Sequence, residues 1–150
     1  MGRILEGIKI FFTEDDWKFT EIEGRGAIRM GFSGDNAQWN CFAQAREEQE
    51  QIVFYSVAAF QIPEERRTEA ALFIARANYG MIIGNFEIDL GDGEVRYKTA
   101  ADFEGTELTS ALIKPLVYAN VLTMDRYVKG LMAVGFGGKS AEEAIAEVEG

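Results

Sequence analysis

Asn85-Phe86-Glu87-Ile88-Asp89-Leu90-Gly91-Asp92-Gly93-Glu94-Val95-Arg96-Tyr97-Lys98-Thr99 reads as two short strands around a glycine turn. Phe86, Ile88 and Leu90 alternate with Asn85, Glu87 and Asp89. Val95, Tyr97 and Thr99 alternate with Glu94, Arg96 and Lys98. A period of two marks half-buried strands, and Gly-Asp-Gly between them is turn chemistry. Matching the apolar faces pairs Leu90 with Val95 and Ile88 with Tyr97. The same register sets Asp89 opposite Arg96 and Glu87 opposite Lys98. Opposite charges facing across a strand pair contribute roughly 0.2–1 kcal/mol each. Both faces thus favour an antiparallel hairpin.

Upstream, Pro63 opens a helix, because its missing N–H costs nothing in a first helical turn. Glu64-Glu65 suit the positive end of the helix dipole. Ala70, Phe73, Ile74 and Ala77 form an apolar stripe, which Leu72, Ala75 and Tyr79 widen. Gly80 terminates the helix. Before it, from Lys18 to Phe60, the period is two. Ile28, Met30 and Phe32 lead into the turn Ser33-Gly34-Asp35-Asn36, and Trp39, Cys41, Ala43 and Ala45 follow. The inward faces pair Met30 with Trp39 and Ile28 with Cys41. Ile52 to Ala58 is apolar on both faces, as in a central strand or one whose second face is covered. Ile4, Leu5, Ile8, Phe11 and Phe12 form a first amphipathic helix.

Downstream, Leu112, Ile113, Leu116, Val117, Val121, Met124, Val128 and Leu131 describe a long helix with an Asp125–Lys129 pair. Pro115 either kinks it or sits near its start. Gly135-Phe136-Gly137-Gly138 ends it. Ser140 with Glu143 forms a capping box for a short acidic tail helix over residues 139–150. The order is α-β-β-β-β-α-β-β-α. Short turns between consecutive strands imply a mainly antiparallel sheet packed with helices, an α+β class. One such domain spans residues 1–150.

The composition narrows the chemistry. The 150 residues carry 15 Lys+Arg and 25 Asp+Glu, hence 15 − 25 = −10. The excess of acid is even along the chain. Residues 1–75 hold 8 basic and 13 acidic side chains, and residues 76–150 hold 7 and 12. This disfavours nucleic acid, which needs a basic stripe. The absence of histidine excludes a Ser-His-Asp triad and a Cys-His pair. A single cysteine, Cys41, excludes an internal disulfide. Cys41 faces inward and reads as a small buried hydrophobe. The opening Met1-Gly2-Arg3-Ile4 lacks a signal-peptide core, and no apolar run would span a bilayer. A cytoplasmic protein with no membrane partner is expected.

Three groups could carry chemistry. Ala133 to Ser140 matches the relaxed phosphate-loop pattern, ending Gly138-Lys139-Ser140. A helix precedes it instead of a buried strand, so a helix stop followed by a serine cap is the expected structure. Glu14-Asp15-Asp16 and Asp89/Asp92/Glu94 lack the spacing of a calcium loop. No catalytic residue, metal or cofactor is expected. Asn78, at the end of the Ala-rich helix, either bonds a nearby backbone group or anchors an interface.

The stretch from Ile62-Pro63-Glu64-Glu65-Arg66-Arg67 through Asn78, then Gly84 to Asp89 and Gly93 to Tyr97, resembles the YbjN family. Asp125-Arg126-Tyr127 fits that resemblance. It covers the first helix to about Phe136 and leaves the tail unmatched. YbjN proteins are bacterial and are labelled sensory-transduction regulators. The resemblance implies a fold similar to type III secretion chaperones, which commonly form homodimers. It gives the Ala-rich helix and the two-sided strand a use, binding a partner chain or a second subunit through Phe54, Ala70, Phe73, Ala77 and Asn78. The expected function is non-enzymatic, a homodimer holding a protein or peptide client. The alternatives are a regulatory module sensing a small molecule in an apolar pocket, and a nucleotide enzyme built on Gly138-Lys139-Ser140.

Overall fold

The computed structural model describes residues 2–150. Its elements run α1 (Arg3–Glu14), β1 (Thr20–Ile22), β2 (Ala27–Ser33), β3 (Gln38–Arg46), β4 (Gln51–Gln61), a 3-10 turn (Glu64–Arg66), α2 (Arg67–Asn78), β5 (Asn85–Ile88), β6 (Glu94–Asp102), α3 (Ser110–Phe136) and α4 (Ala141–Glu149). This is the expected order with its terminal helix. The strands form one six-stranded sheet in the order β1-β2-β3-β4-β6-β5. Every neighbouring pair is antiparallel.

The helices cover one face of this sheet. Burial alternates along β3, β4 and β6, with Trp39, Cys41, Ile52, Phe54, Val95 and Tyr97 inward. α1 turns Ile4, Leu5, Ile8, Phe11 and Phe12 into the same core, so its spacing of three and four is a packing stripe. β4 lies centrally, as its apolar run implied. Its second face is covered only in part. Val53, Tyr55 and Val57 are half-buried there, and the Arg96 guanidinium stands 4.2 Å from the Tyr55 ring centre.

Both hairpin registers differ from expectation by two residues. Met30 pairs with Cys41 and Phe32 with Trp39. A four-residue loop replaces the tight turn because Asp125 of α3 reaches into it. The Asp125 carboxylate accepts the amides of Asp35 (3.1 Å) and Asn36 (2.9 Å). Asp125 is therefore engaged with this loop instead of the expected Lys129. In the second hairpin Ile88 pairs with Val95 and Glu87 with Arg96. There the loop is shaped by Asp89 accepting from Gly91 N (2.8 Å) and Asp92 accepting from Glu94 N (2.9 Å). Arg67 of α2 also donates to the carbonyls of Leu90 and Gly91. Glu87 takes both cations, Arg96 at 2.7 Å and Lys98 at 2.9 Å. Leu90 has no inward place and is 60% exposed.

α3 passes through Pro115 near its start and buries Ile113, Leu116, Val117, Val121, Met124, Val128 and Leu131, while Leu112 faces outward. Asn120 is fully buried and ties α3 to the middle of the sheet. Its amide donates to Phe54 O (2.9 Å), Tyr97 O (3.1 Å) and Thr99 Oγ1 (3.2 Å). These bonds satisfy the buried Asn120 amide nitrogen, which would otherwise be costly, while its Oδ1 has no partner among the described residues.

Candidate binding surface

α2 delivers the chain to a loop that presents apolar side chains to solvent. At its end, Asn78 Oδ1 accepts from Phe86 N (2.7 Å) and its amide donates to Phe86 O (3.1 Å). Asn78 thus fastens α2 to the edge strand β5. Gly80 (φ +86°) and Gly84 (φ +81°) bracket the loop in the left-handed backbone that glycine adopts without strain. Gly84 is also required for room. A Cβ there would stand 2.6 Å from Lys98 O and 2.7 Å from Thr99 Cγ2. Inside the loop, Tyr97 OH donates to Ile83 O at 2.5 Å, and Met81 packs on the core.

With the frame held from below, Tyr79 and Ile82 point outward, 91% and 92% exposed. Ile83, Leu72 of α2 and Leu122 of α3 are also exposed. Tyr79 stands between two shallow clefts of about 490 Å³ each. One is lined by Ala77, Met81, Ala119, Leu122 and Tyr127, with Arg126 and Glu149 at its border. The other is lined by Leu72, Ala75, Arg76, Ile145 and Glu149. Tyr127 OH donates to Glu149 Oε2 at 2.6 Å. Burial and then this bond push the Tyr127 phenol up to about 12. It is a neutral donor across the physiological range. Exposed apolar clusters of this kind mark interaction sites more often than single surface leucines do.

Of the residues expected at an interface, Phe54, Ala70 and Phe73 lie in the core, Ala77 lines one cleft and Asn78 anchors the loop beside it. Phe54, Ala70, Phe73 and Ala77 are between 0% and 1% exposed. The chain's own helices and sheet take up the side chains of Phe54, Ala70 and Phe73, and Ala77 adds only its small side chain to the wall of one cleft. The expected widening of the α2 stripe by Leu72, Ala75 and Tyr79 is corrected likewise. Those three face solvent, because the buried side of α2 is only as wide as Ala70, Phe73, Ile74 and Ala77. The sequence signal for the exposed loop was available as Tyr79-Gly80-Met81-Ile82-Ile83-Gly84, an apolar run too short and too glycine-flanked to be a core strand.

The groups considered for chemistry are engaged in structure. Gly137 N and Lys139 N both donate to Ala133 O, closing the end of α3. The amides that would cradle a phosphate are thereby used. Lys139 pairs with Glu147, and Ser140 and Glu143 form the capping box. Glu14 accepts from Ser110 (2.5 Å), while Asp15 accepts from Tyr118 OH (2.6 Å) and Trp17 Nε1 (2.9 Å). Cys41 is buried beside Ser56, and burial pushes its thiol up to about 11. Among the described residues, no three His, Cys, Asp or Glu side chains gather as metal ligands, and no helix is long and apolar enough to cross a membrane.

The Asp15 contacts carry a pH signature. The Tyr118 bond, with Trp17 and Lys114 helping, holds its carboxyl below the usual range despite some burial. A lowered folded value adds stability above the unfolded value of about 3.9 and loses it as pH falls through the folded one. Asp15→Asn is expected to lower the melting temperature at pH 6–7, and the gap from wild type should close towards pH 3. A gap independent of pH in thermal melts would contradict this role.

These features define an α+β protein with helices on one face of an antiparallel sheet and an apolar knob at the end of α2. The chain belongs to the YbjN family, described as "Putative bacterial sensory transduction regulator", whose model matches residues 5–132. Among solved structures it is similar to "YbjN, a putative transcription regulator from E. coli". That likeness has a TM-score of 0.64 at 10% identity, covering 81% of this chain and 85% of the other. It shows a shared fold. The HopA1-SchA chaperone-effector complex is matched at 15% identity with a TM-score of 0.48, covering 81% of this chain and 88% of that one. No curated protein matches the sequence.

Proposed function

We propose that this protein is a non-enzymatic, cytoplasmic protein-binding module that acts as a homodimer, joined through the surface around Tyr79 and Ile82. A client segment would be held by the assembled pair. The observation carrying this reading is the exposure of Tyr79 and Ile82 on a loop held rigid from below. An apolar knob beside two clefts on the same face suits a self-complementary contact, in which each copy's knob enters the other's cleft. Arg76, Arg126 and Glu149 border the clefts, so a two-fold axis can set unlike charges opposite each other. The clefts are open, whereas small-molecule sites bury most of their ligand.

Light scattering at micromolar concentration should give a dimer for the wild type. The double variant Tyr79→Ser, Ile82→Asp should give a folded monomer whose melting temperature falls by no more than the lost dimer linkage, since neither side chain packs in the core. A monomeric wild type, or a variant that stays dimeric, would refute this surface as the joint.

A further inference from the structure

The C-terminal helix α4 lies outside the residues matched by the family model, which ends at 132. It lies on α2 and α3 and turns one face to them. Ala141, Ala144 and Ile145 are buried, and Val148 packs beside them, a spacing of i, i+3, i+4 and i+7. The groove beneath is cut to receive such a face. Gly130 of α3 carries no side chain there, and a Cβ would stand 2.5 Å from Phe73 Cζ and 2.9 Å from Val148 Cγ2. The two ends of α4 are fastened by groups of the groove wall. Glu69 of α2 accepts from Ala141 N at 2.6 Å, and Tyr127 of α3 donates to Glu149 at 2.6 Å. Arg66 holds the connecting segment through Val134 O (2.8 Å) and Lys139 O (2.6 Å).

We infer that the α2–α3 groove is a docking site for a short acidic amphipathic helix, and that α4 is its occupant in cis. The partner is a helix of another chain with small or branched apolar residues at i, i+3, i+4 and i+7 and carboxylates on its outer face. The resident helix states that chemistry itself, with Glu142, Glu143 and Glu147 outside and Glu149 bonded to the groove wall. Arg76 and Arg126 border the clefts that Glu149 also lines, and a carboxylate-bearing helix suits them. A nine-residue helix is marginal in water alone. Its place therefore rests on tethering, which supplies an effective concentration on the order of millimolar. A helix in trans competes with that tether, so α4 sets the threshold for docking. The groove adjoins the clefts beside Tyr79, which Ile145 and Glu149 of α4 help to line, but its peptide test reads independently of the dimer test.

The test uses the full chain, wild type and Ala144→Arg, the latter placing a side chain the groove cannot hold. A labelled peptide of residues 139–150 is titrated into both and followed by fluorescence anisotropy. The Ala144→Arg chain should bind it, and the wild type should bind at least tenfold more weakly. A peptide carrying Ile145→Asp should bind neither. Absent or equal binding by folded chains overturns the inference. Hydrogen exchange on the wild type gives a second readout. The α4 amides should exchange well before those of β4 and β6. Exchange of α4 together with the sheet, or loss of the fold in Ala144→Arg, would make α4 part of the core and overturn it too.

Discussion

Phe54→Ala is expected to cost about 3–5 kcal/mol, the range for emptying a fully buried aromatic site. Phe54 sits on the central strand β4 and is 0% exposed. Its ring lies 5.9 Å from that of Phe12 at an interplanar angle of 18°, joining α1 to the sheet. Its carbonyl accepts from Asn120, so α3 is anchored at the same point. Truncation removes contacts to α1 and leaves a cavity that backbone on both sides cannot close. Domains are stable by only about 5–15 kcal/mol, so a large part of the total would go. Urea denaturation measures it, with Leu90→Asp, at an exposed position outside the proposed dimer surface, as the comparison. That exposed change should stay within about 0.5 kcal/mol of wild type. The contrast separates two roles for Phe54. An interface residue would lose the partner and keep the fold, and a Phe54→Ala chain as stable as wild type would put Phe54 there.

Gly93→Ala should destabilise by about 2–6 kcal/mol. Left-handed backbone strain contributes about 1–3 kcal/mol and overpacking a further 1–3 kcal/mol. Gly93 has φ +81°, and a Cβ would overlap the carbonyl oxygen of Ile62 and stand 2.8 Å from its nitrogen. Those neighbours are backbone and cannot rotate away. Ile62 N also donates to Gly93 O at 2.9 Å, so any shift weakens the joint between the β5–β6 hairpin and the start of α2. Gly24→Ala is the control, because Gly24 has φ +74° with nothing within 4 Å of its Cβ position. It should cost only the backbone strain, about 1–3 kcal/mol. Equal losses in the two variants, measured by denaturant titration, would remove the steric argument.

The two hairpins show where sequence reading stops. Ile28, Met30, Trp39 and Cys41 were assigned inward and are buried, yet each pairs two residues along from the expected register. A slip of two residues leaves every side chain on its face, so the periodicity is silent about it. What selected the register was remote. Asp125, about ninety residues from the turn, binds two amides of the β2–β3 loop, and Arg67 clasps the β5–β6 loop. The charge pairing that supported the tighter hairpin was also ambiguous. One carboxylate, Glu87, satisfies both Arg96 and Lys98 and leaves Asp89 to shape the turn.

The candidate surface was less legible than the fold. Ala70, Phe73 and Ala77 were expected to bind a partner chain or second subunit, and what packs on α2 here is the chain's own α3 and α4. An apolar stripe has the same pattern whether it faces a core or a partner. Tyr79 looked like one more member of it, because helical spacing carries on past Asn78 on paper. The helix itself stops there, as the Asn78 side chain turns to the backbone of Phe86.

The sequence by itself determined the order of the elements, their inward faces, the antiparallel sheet and the capped tail helix. Those follow from periodicity and capping, which are local properties of adjacent residues. Only the tertiary structure decided the two registers, what covers Phe54, Ala70, Phe73 and Ala77, and the exposure of Tyr79 and Ile82. Each depends on a contact between residues far apart in the chain, where local patterns carry no information about the partner.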